Sequence, residues 1–268
     1  MRRRLFHTWP TFALIMVLAA QNGSADNWSV FGRRGERGSG EIVTEERNVH
    51  DFERIRLLSV ADLRVVGGDM IQLKVTTDDN LLDNIVTEVG SRHTLVIDNE
   101  GSFSTTHGVL VEITMPYLTL LEAKGSGDVD LLGLRSDVLE IEVGGSGNVE
   151  LDGEIKYLDI SVGGSGGVTA HDLMAGDVVV EIGGSGDVEL LGSTRSLKCA
   201  VHGSGEIDAS ELKAERVVAK VYGSGDISVH ATASFDGAIY GSGDIDLFGN
   251  PDDIDRHVAG SGKIRRRR

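Results

Sequence analysis

A chain of 268 residues is long enough for one large domain or two small ones. Glycine occurs 36 times, aromatics make up only 5% and proline appears 3 times, which disfavours a large helical core and fits many short strands joined at tight corners. The net charge is −16, and setting aside Arg2–Arg4 and Arg265–Arg268 leaves 19 basic against 42 acidic side chains, so a nucleic-acid partner is excluded by repulsion of phosphate.

The N-terminus reads as an export signal over residues 1–25. Arg2–Arg4 form a basic start, Phe12–Ala20 an apolar stretch too short to span a bilayer comfortably, and "QNGSADN" a polar exit. Cleavage fits after Ala25 or after Ala19, and an uncleaved anchor is the alternative. No cysteine lies near the cleavage region, which disfavours a lipid anchor; Cys199 is alone, so no intramolecular disulfide forms after export. Residues 26–37 read as a linker.

Residues 38–117 alternate apolar and polar side chains at Ile55/Leu57, Leu63/Val65, Ile71/Leu73/Val75, Leu95/Ile97 and Val109/Val111/Ile113, the period-2 mark of strands with one buried face. "DDNLLDNIVTEV" predicts a short helical turn after Asp79. The region is expected to form irregular coils that cap residues 118–264, with a separate small β-domain as the alternative.

From residue 118 to 264 the chain repeats. The tripeptide "GSG" begins at Gly125, Gly145, Gly164, Gly184, Gly203, Gly223, Gly241 and Gly260, with an earlier copy at Gly38. Four residues after each first glycine of the array come Val129, Val149, Val168, Val188, Ile207, Ile227, Ile245 and Ile264. Four before it come Leu121, Ile141, Ile160, Val180, Cys199, Ala219, Gly237 and Arg256. One repeat cannot bury its apolar face alone, but repeats stacked about 4.8 Å apart can, so the sequence predicts an all-β parallel β-helix with two short strands per coil. The glycines are expected to supply φ > 0 at a sharp corner and the serines to bond local backbone there. Cys199 falls in an inward column and reads as a small core residue. Arg256 in the same column predicts an open last coil, and the tail Arg265–Arg268 ends the ladder or attaches to anionic headgroups.

Several motifs invite chemistry. "GGSGG" at Gly163–Gly167 matches the G-x-S-x-G nucleophile elbow letter for letter, but "VTAHDL" behind it continues strand columns instead of opening a helix, so Ser165 reads as a corner residue. His171 and Asp172 lie in an inter-strand turn and make a weak catalytic pair. Outward carboxylates stack at Asp128, Asp187, Asp226 and Asp244, and again at Asp130, Glu189 and Asp246. They are candidate Ca²⁺ ligands, with a solvated acidic face as the plainer reading. The Ca²⁺-binding nonapeptide of other β-helices is not matched, because Val149 and Val188 stand where it needs aspartate. No cofactor is expected. Tyr222 and Tyr240 are an outward stacked pair of the kind that sugars use as a platform.

"GSGEIVTEERNVHDFERIRL", "DDNLLDNIVTEV", "HTLVI", "VEITMPYLTLLEAKGSGDVDL" and the GSG array together resemble the head GIN domain family, exported bacterial proteins described as autotransporter-adhesin heads. The resemblance runs from about Gly38 to Lys263 and implies a right-handed β-helix in the periplasm or at the cell surface. It carries over no catalytic residues. The expected function is a non-enzymatic envelope or surface binding or structural module with a glycan or protein partner. The alternatives are a carbohydrate-active enzyme or polysaccharide-binding protein and a Ca²⁺-stabilised adhesin.

Overall fold

The structure is a computed structural model and describes residues 35–267, so the expected export signal and most of the linker lie outside the described residues. In chain order the strands are β1 (Glu36–Arg37), β2 (Ile42–Arg47), β3 (Arg54–Leu57), β4 (Asp62–Gly67), β5 (Gln72–Asp78), β6 (Ile85–Val89), β7 (Thr94–Asn99), β8 (Phe103–Ser104), β9 (Leu110–Met115) and β10 (Leu120–Ala123). The repeats then give β11 (Val129–Val143), β12 (Val149–Val162), β13 (Val168–Ile182), β14 (Val188–Val201), β15 (Ile207–Val221) and β16 (Ile227–Ile239), followed by β17 (Ile245–Gly249), β18 (Asp253–Val258) and β19 (Ile264–Arg266). All but β1 and β8 belong to one 17-stranded sheet wound as a β-solenoid.

The inward columns stack as the repeat requires. Val129, Val149, Val168, Val188, Ile207, Ile227 and Ile245 pair in register from coil to coil, and each is at most 1% exposed. A further inward column, Leu139, Leu158, Val178, Leu197, Val217 and Phe235, pairs the same way. Each such side chain contributes roughly 1.5–3 kcal/mol by leaving water. The two strands expected per repeat run together into one bent strand per coil in β11–β16 and stay separate in the coil of β17 and β18. The bend falls at a register shift, where Gly133 (φ 62°) and Asp172 (φ 49°) hold left-handed backbone. Aspartate is among the few residues besides glycine that tolerate that conformation.

The GSG corner works differently from expectation. No glycine of the array's GSG corners has a positive φ. A Cβ on Gly145 would instead meet the carbonyl oxygen of Gly125 at 1.9 Å, and one on Gly147 would meet that of Gly127 at 2.0 Å. Glycine is required because successive corners touch backbone to backbone. The serine hydroxyls are exposed and form no hydrogen bond to the corner. The backbone N–H groups do that work, Ser146 donating to Gly125 O at 3.2 Å and Ser165 to Gly145 O at 3.1 Å.

The N-terminal third joins the same ladder out of chain order. β3 pairs with β10, and β4 with the first part of β11, so Ile55, Leu57, Leu63 and Val65 continue the inward columns one coil below the array. The corner of that coil is Ser59-Val60-Ala61, and a Cβ on Gly125 or Gly127 would strike Ser59 O or Ala61 O at 1.9 and 1.8 Å. β7 and β9 lie beneath β3 and β4. Antiparallel strands then end the stack: β6 on β7, β5 on β9 and β2 on β5. The turn expected after Asp79 is a 3-10 helix, Asp79–Asn84. The early GSG copy does not join the array corners. Ser39 and Gly40 donate their N–H groups to Asn80 Oδ1 and Asp78 Oδ1 at 2.8 and 2.6 Å. The thiol of Cys199 is buried in the core, which pushes its pKa up to about 12. At the far end Arg256 is exposed, so the column that buries Ile160 and Val180 opens there.

Candidate functional site: an exposed aromatic ladder

The acidic columns are built into the corner. Asp128 Oδ1 accepts the N–H of Asn148 at 2.8 Å, and Asn148 Oδ1 accepts that of Gly167 at 3.0 Å. Asp187 does the same for Glu206 at 2.8 Å, Asp226 for Asp244 at 2.7 Å and Asp244 for Lys263 at 2.6 Å. Asp62 begins the series by accepting the N–H of Asp128 at 3.1 Å. The ladder breaks after Gly167, which has no side-chain acceptor, and after Glu206, which is one methylene longer than aspartate and takes no N–H from the next coil. Burial, with the charges of Asp208, Asp226 and Asp187, raises the pKa of Glu206 above its usual value.

The second carboxylate column is also largely engaged. Asp130 meets Arg64 at 3.1 Å, and Asp246 meets Arg267 at 2.8 Å; Glu189 is exposed. Among the described residues no three His, Cys, Asp or Glu side chains gather to hold a metal ion. The tail folds back onto these acids, Arg265 pairing with Asp244 at 2.6 Å.

Ser165 is exposed at the corner between β12 and β13, and no helix follows it. Asp172 supplies the left-handed bend of β13 and His171 precedes it on the outside. A hollow of about 520 Å³ on the solenoid wall is lined by Arg135, Asp137, Glu154 and Lys156 among others. Its charges are paired with one another, Lys156 with Asp137 at 2.6 Å and Arg135 with Glu154 at 3.8 Å, and His171 lies outside it.

The column immediately before each GSG carries the most distinctive surface. There His202, Tyr222 and Tyr240 occupy successive coils and stack: ring centroids are 4.6 Å apart at 4° for the first pair and 5.2 Å at 10° for the second. The spacing follows the strand separation of the ladder beneath. His257 extends the row, 5.7 Å from Tyr240 and tilted by 48°. The tyrosines are half exposed, and Glu181 Oε1 holds His202 Nε2 at 3.2 Å. On the coil before His202 the column holds Gly183, where a Cβ would meet nothing within 4 Å. The column therefore leaves the outer face of His202 uncovered. The tyrosine pair is legible in the register; His202, which stacks on Tyr222 from the same column, and His257, which enters from two residues farther back in its own coil, were not anticipated.

A family model described as "Putative auto-transporter adhesin, head GIN domain" matches residues 51–251. The chain belongs to the head GIN domain family. No curated protein matches it. Among solved structures, a "putative lipid binding protein" from Parabacteroides distasonis is 30% identical with a TM-score of 0.79, covering 88% of this chain and 100% of its own. A "putative adhesin" from Bacteroides fragilis is 29% identical with a TM-score of 0.67, covering 87% and 100%. One from Parabacteroides merdae shares the fold with a TM-score of 0.79 at 23% identity, covering 88% and 100%.

Proposed function

We propose that this head GIN protein is an exported, non-enzymatic binding module of the envelope or cell surface that holds glycan chains against its aromatic ladder. The observation that carries this reading is the row His202-Tyr222-Tyr240-His257, which presents ring edges and one open ring face to solvent. Aromatic rings offer sugars an apolar platform, and the neighbouring column of exposed serine hydroxyls, Ser185, Ser204 and Ser224, supplies donors and acceptors beside it. The carboxylate-rich surface favours a neutral glycan over an acidic one. Adhesin descriptions of the family and of several structural relatives point the same way.

Affinity electrophoresis through gels containing neutral polysaccharides tests this. The wild-type protein is expected to be retarded, and Tyr222→Ala and His202→Ala to lose the retardation while losing only about 0.5–1.5 kcal/mol of stability per stacked pair. Equal migration of wild type and variants contradicts the reading. Release of reducing ends that stops in Ser165→Ala would replace it with an enzyme.

A further inference from the structure

A second surface lies at the other end of the array, independent of the aromatic ladder. The outward positions of β3, Arg54 and Arg56, sit between Thr94 and Val96 of β7 on one side and Leu120 and Glu122 of β10 on the other. The hairpin turn between β6 and β7 contributes Gly90, Ser91 and Arg92, and together these groups enclose a hollow of about 350 Å³ that reaches Glu142. That volume lies in the range of small-molecule pockets. Its charge is opposite to that of the chain. Both carboxylates are answered by cations: Glu122 by Arg56 and Lys124, and Glu142 by Lys124 at 3.8 Å. Among the described residues no carboxylate pairs with Arg54 or Arg92, and the Nε of Arg54 is buried with no hydrogen-bond partner. A buried donor without an acceptor is costly.

The turn is also strained. Arg92 (φ 59°) and His93 (φ 54°) are consecutive non-glycine residues in the left-handed region, and His93 Nδ1 is held at 2.9 Å to the carbonyl of Asp51, itself at φ 59°. Each such residue costs of order 1–3 kcal/mol and tends to persist where geometry serves a site. The strained turn contributes Arg92 to the lining of the same hollow as Arg54.

We propose that this hollow binds a phosphate group. Two unpaired guanidinium forks and the hydroxyls of Ser91 and Thr94 match a tetrahedral anion with several acceptor oxygens. The donor set recognises the phosphate itself, whether free or carried on a lipid headgroup.

Calorimetric titration of the full chain with inorganic phosphate, and co-sedimentation with phosphatidic acid vesicles against phosphatidylcholine vesicles, test the site and separate its two sources. Arg54→Gln and Arg92→Gly are the variants. Arg92→Gly removes the guanidinium and relieves the backbone, so its melting temperature is expected to hold or rise while binding falls. Loss of one charged partner is expected to weaken binding about tenfold or more. Phosphate binding that both variants weaken assigns a free anion; variant-sensitive binding to phosphatidic acid vesicles alone assigns a headgroup; either outcome supports the site. No binding in either assay, or binding unchanged in both variants, overturns it.

Discussion

The array and the cap use one core but close their corners by different means. In the array each corner after the first rests on an identical corner one coil below, so glycine is forced at two positions per repeat. In the coil of β3 and β4 those positions are Ser59 and Ala61. Beneath them the ladder stops at Ile97 and resumes at Leu110, so no matching corner lies below to clash with a Cβ. The Ser59 hydroxyl is then free to accept the N–H of Ala61 at 3.0 Å. Glycine thus marks where corners touch, and its absence marks where the column of corners ends.

If the two regions share a core, matched truncations should cost alike. Ile55 and Ile160 occupy one inward column and are fully buried. Ile55→Ala and Ile160→Ala are each expected to lose about 2–5 kcal/mol in denaturant unfolding, within a single transition. Two separate transitions would make the cap an independent unit.

The carboxylate ladder sharpens the comparison at smaller cost. Asp226→Ala removes the acceptor for the Asp244 N–H and is expected to lose about 1 kcal/mol. Glu206→Asp is expected to recover a few tenths to about 1 kcal/mol by restoring the missing rung to Asp226. Equal stability of all three proteins would show the rungs to be incidental.

Titration should separate the regions further, with the smallest effect. In the cap, the Thr105 hydroxyl and the Gly40 N–H hold Asp78 below the usual carboxylate pKa of 3.8. At Glu122 of β10, where the array meets the cap, burial works upward, but Arg56 of the cap and Lys124 outweigh it and the pKa falls below 4.5. Both contribute stability that is present above those ordinary values and lost as pH falls through the lowered ones. In the array, burial raises Asp159 and Glu206, the latter helped by neighbouring acids. These two stabilise the fold once protonated, and that gain is lost as pH rises through their raised values. Melting temperature should therefore rise slightly on acidification from neutrality and fall again below about pH 4. Glu206→Gln should flatten the first limb only.

The stacked columns were legible because a fixed circumference repeats in the sequence. The role of GSG was not, since the letters do not record how closely one corner approaches the next. The strands β3 and β4 were legible from the alternation at Ile55/Leu57 and Leu63/Val65, but their place in the regular stack was not, because Ser59 and Ala61 break the motif and antiparallel strands interrupt the period. Of the aromatic row, Tyr222 and Tyr240 could be read from their shared position. The arginine hollow could not be read at all, because Arg54 and Arg92 meet only through the pairing of β3 with β7.

Two adjacent glycines test the central claim most directly. A Cβ on Gly164 would meet Gly145 O at 2.2 Å, whereas one on Gly163 would meet nothing within 4 Å, and neither residue has a positive φ. Thermal unfolding of the two alanine variants should move in opposite directions. Gly164→Ala is expected to lose about 3 kcal/mol, and Gly163→Ala to gain about 0.4–1 kcal/mol. Equal shifts, or a stable Gly164→Ala, would contradict a fold built on corners that touch backbone to backbone.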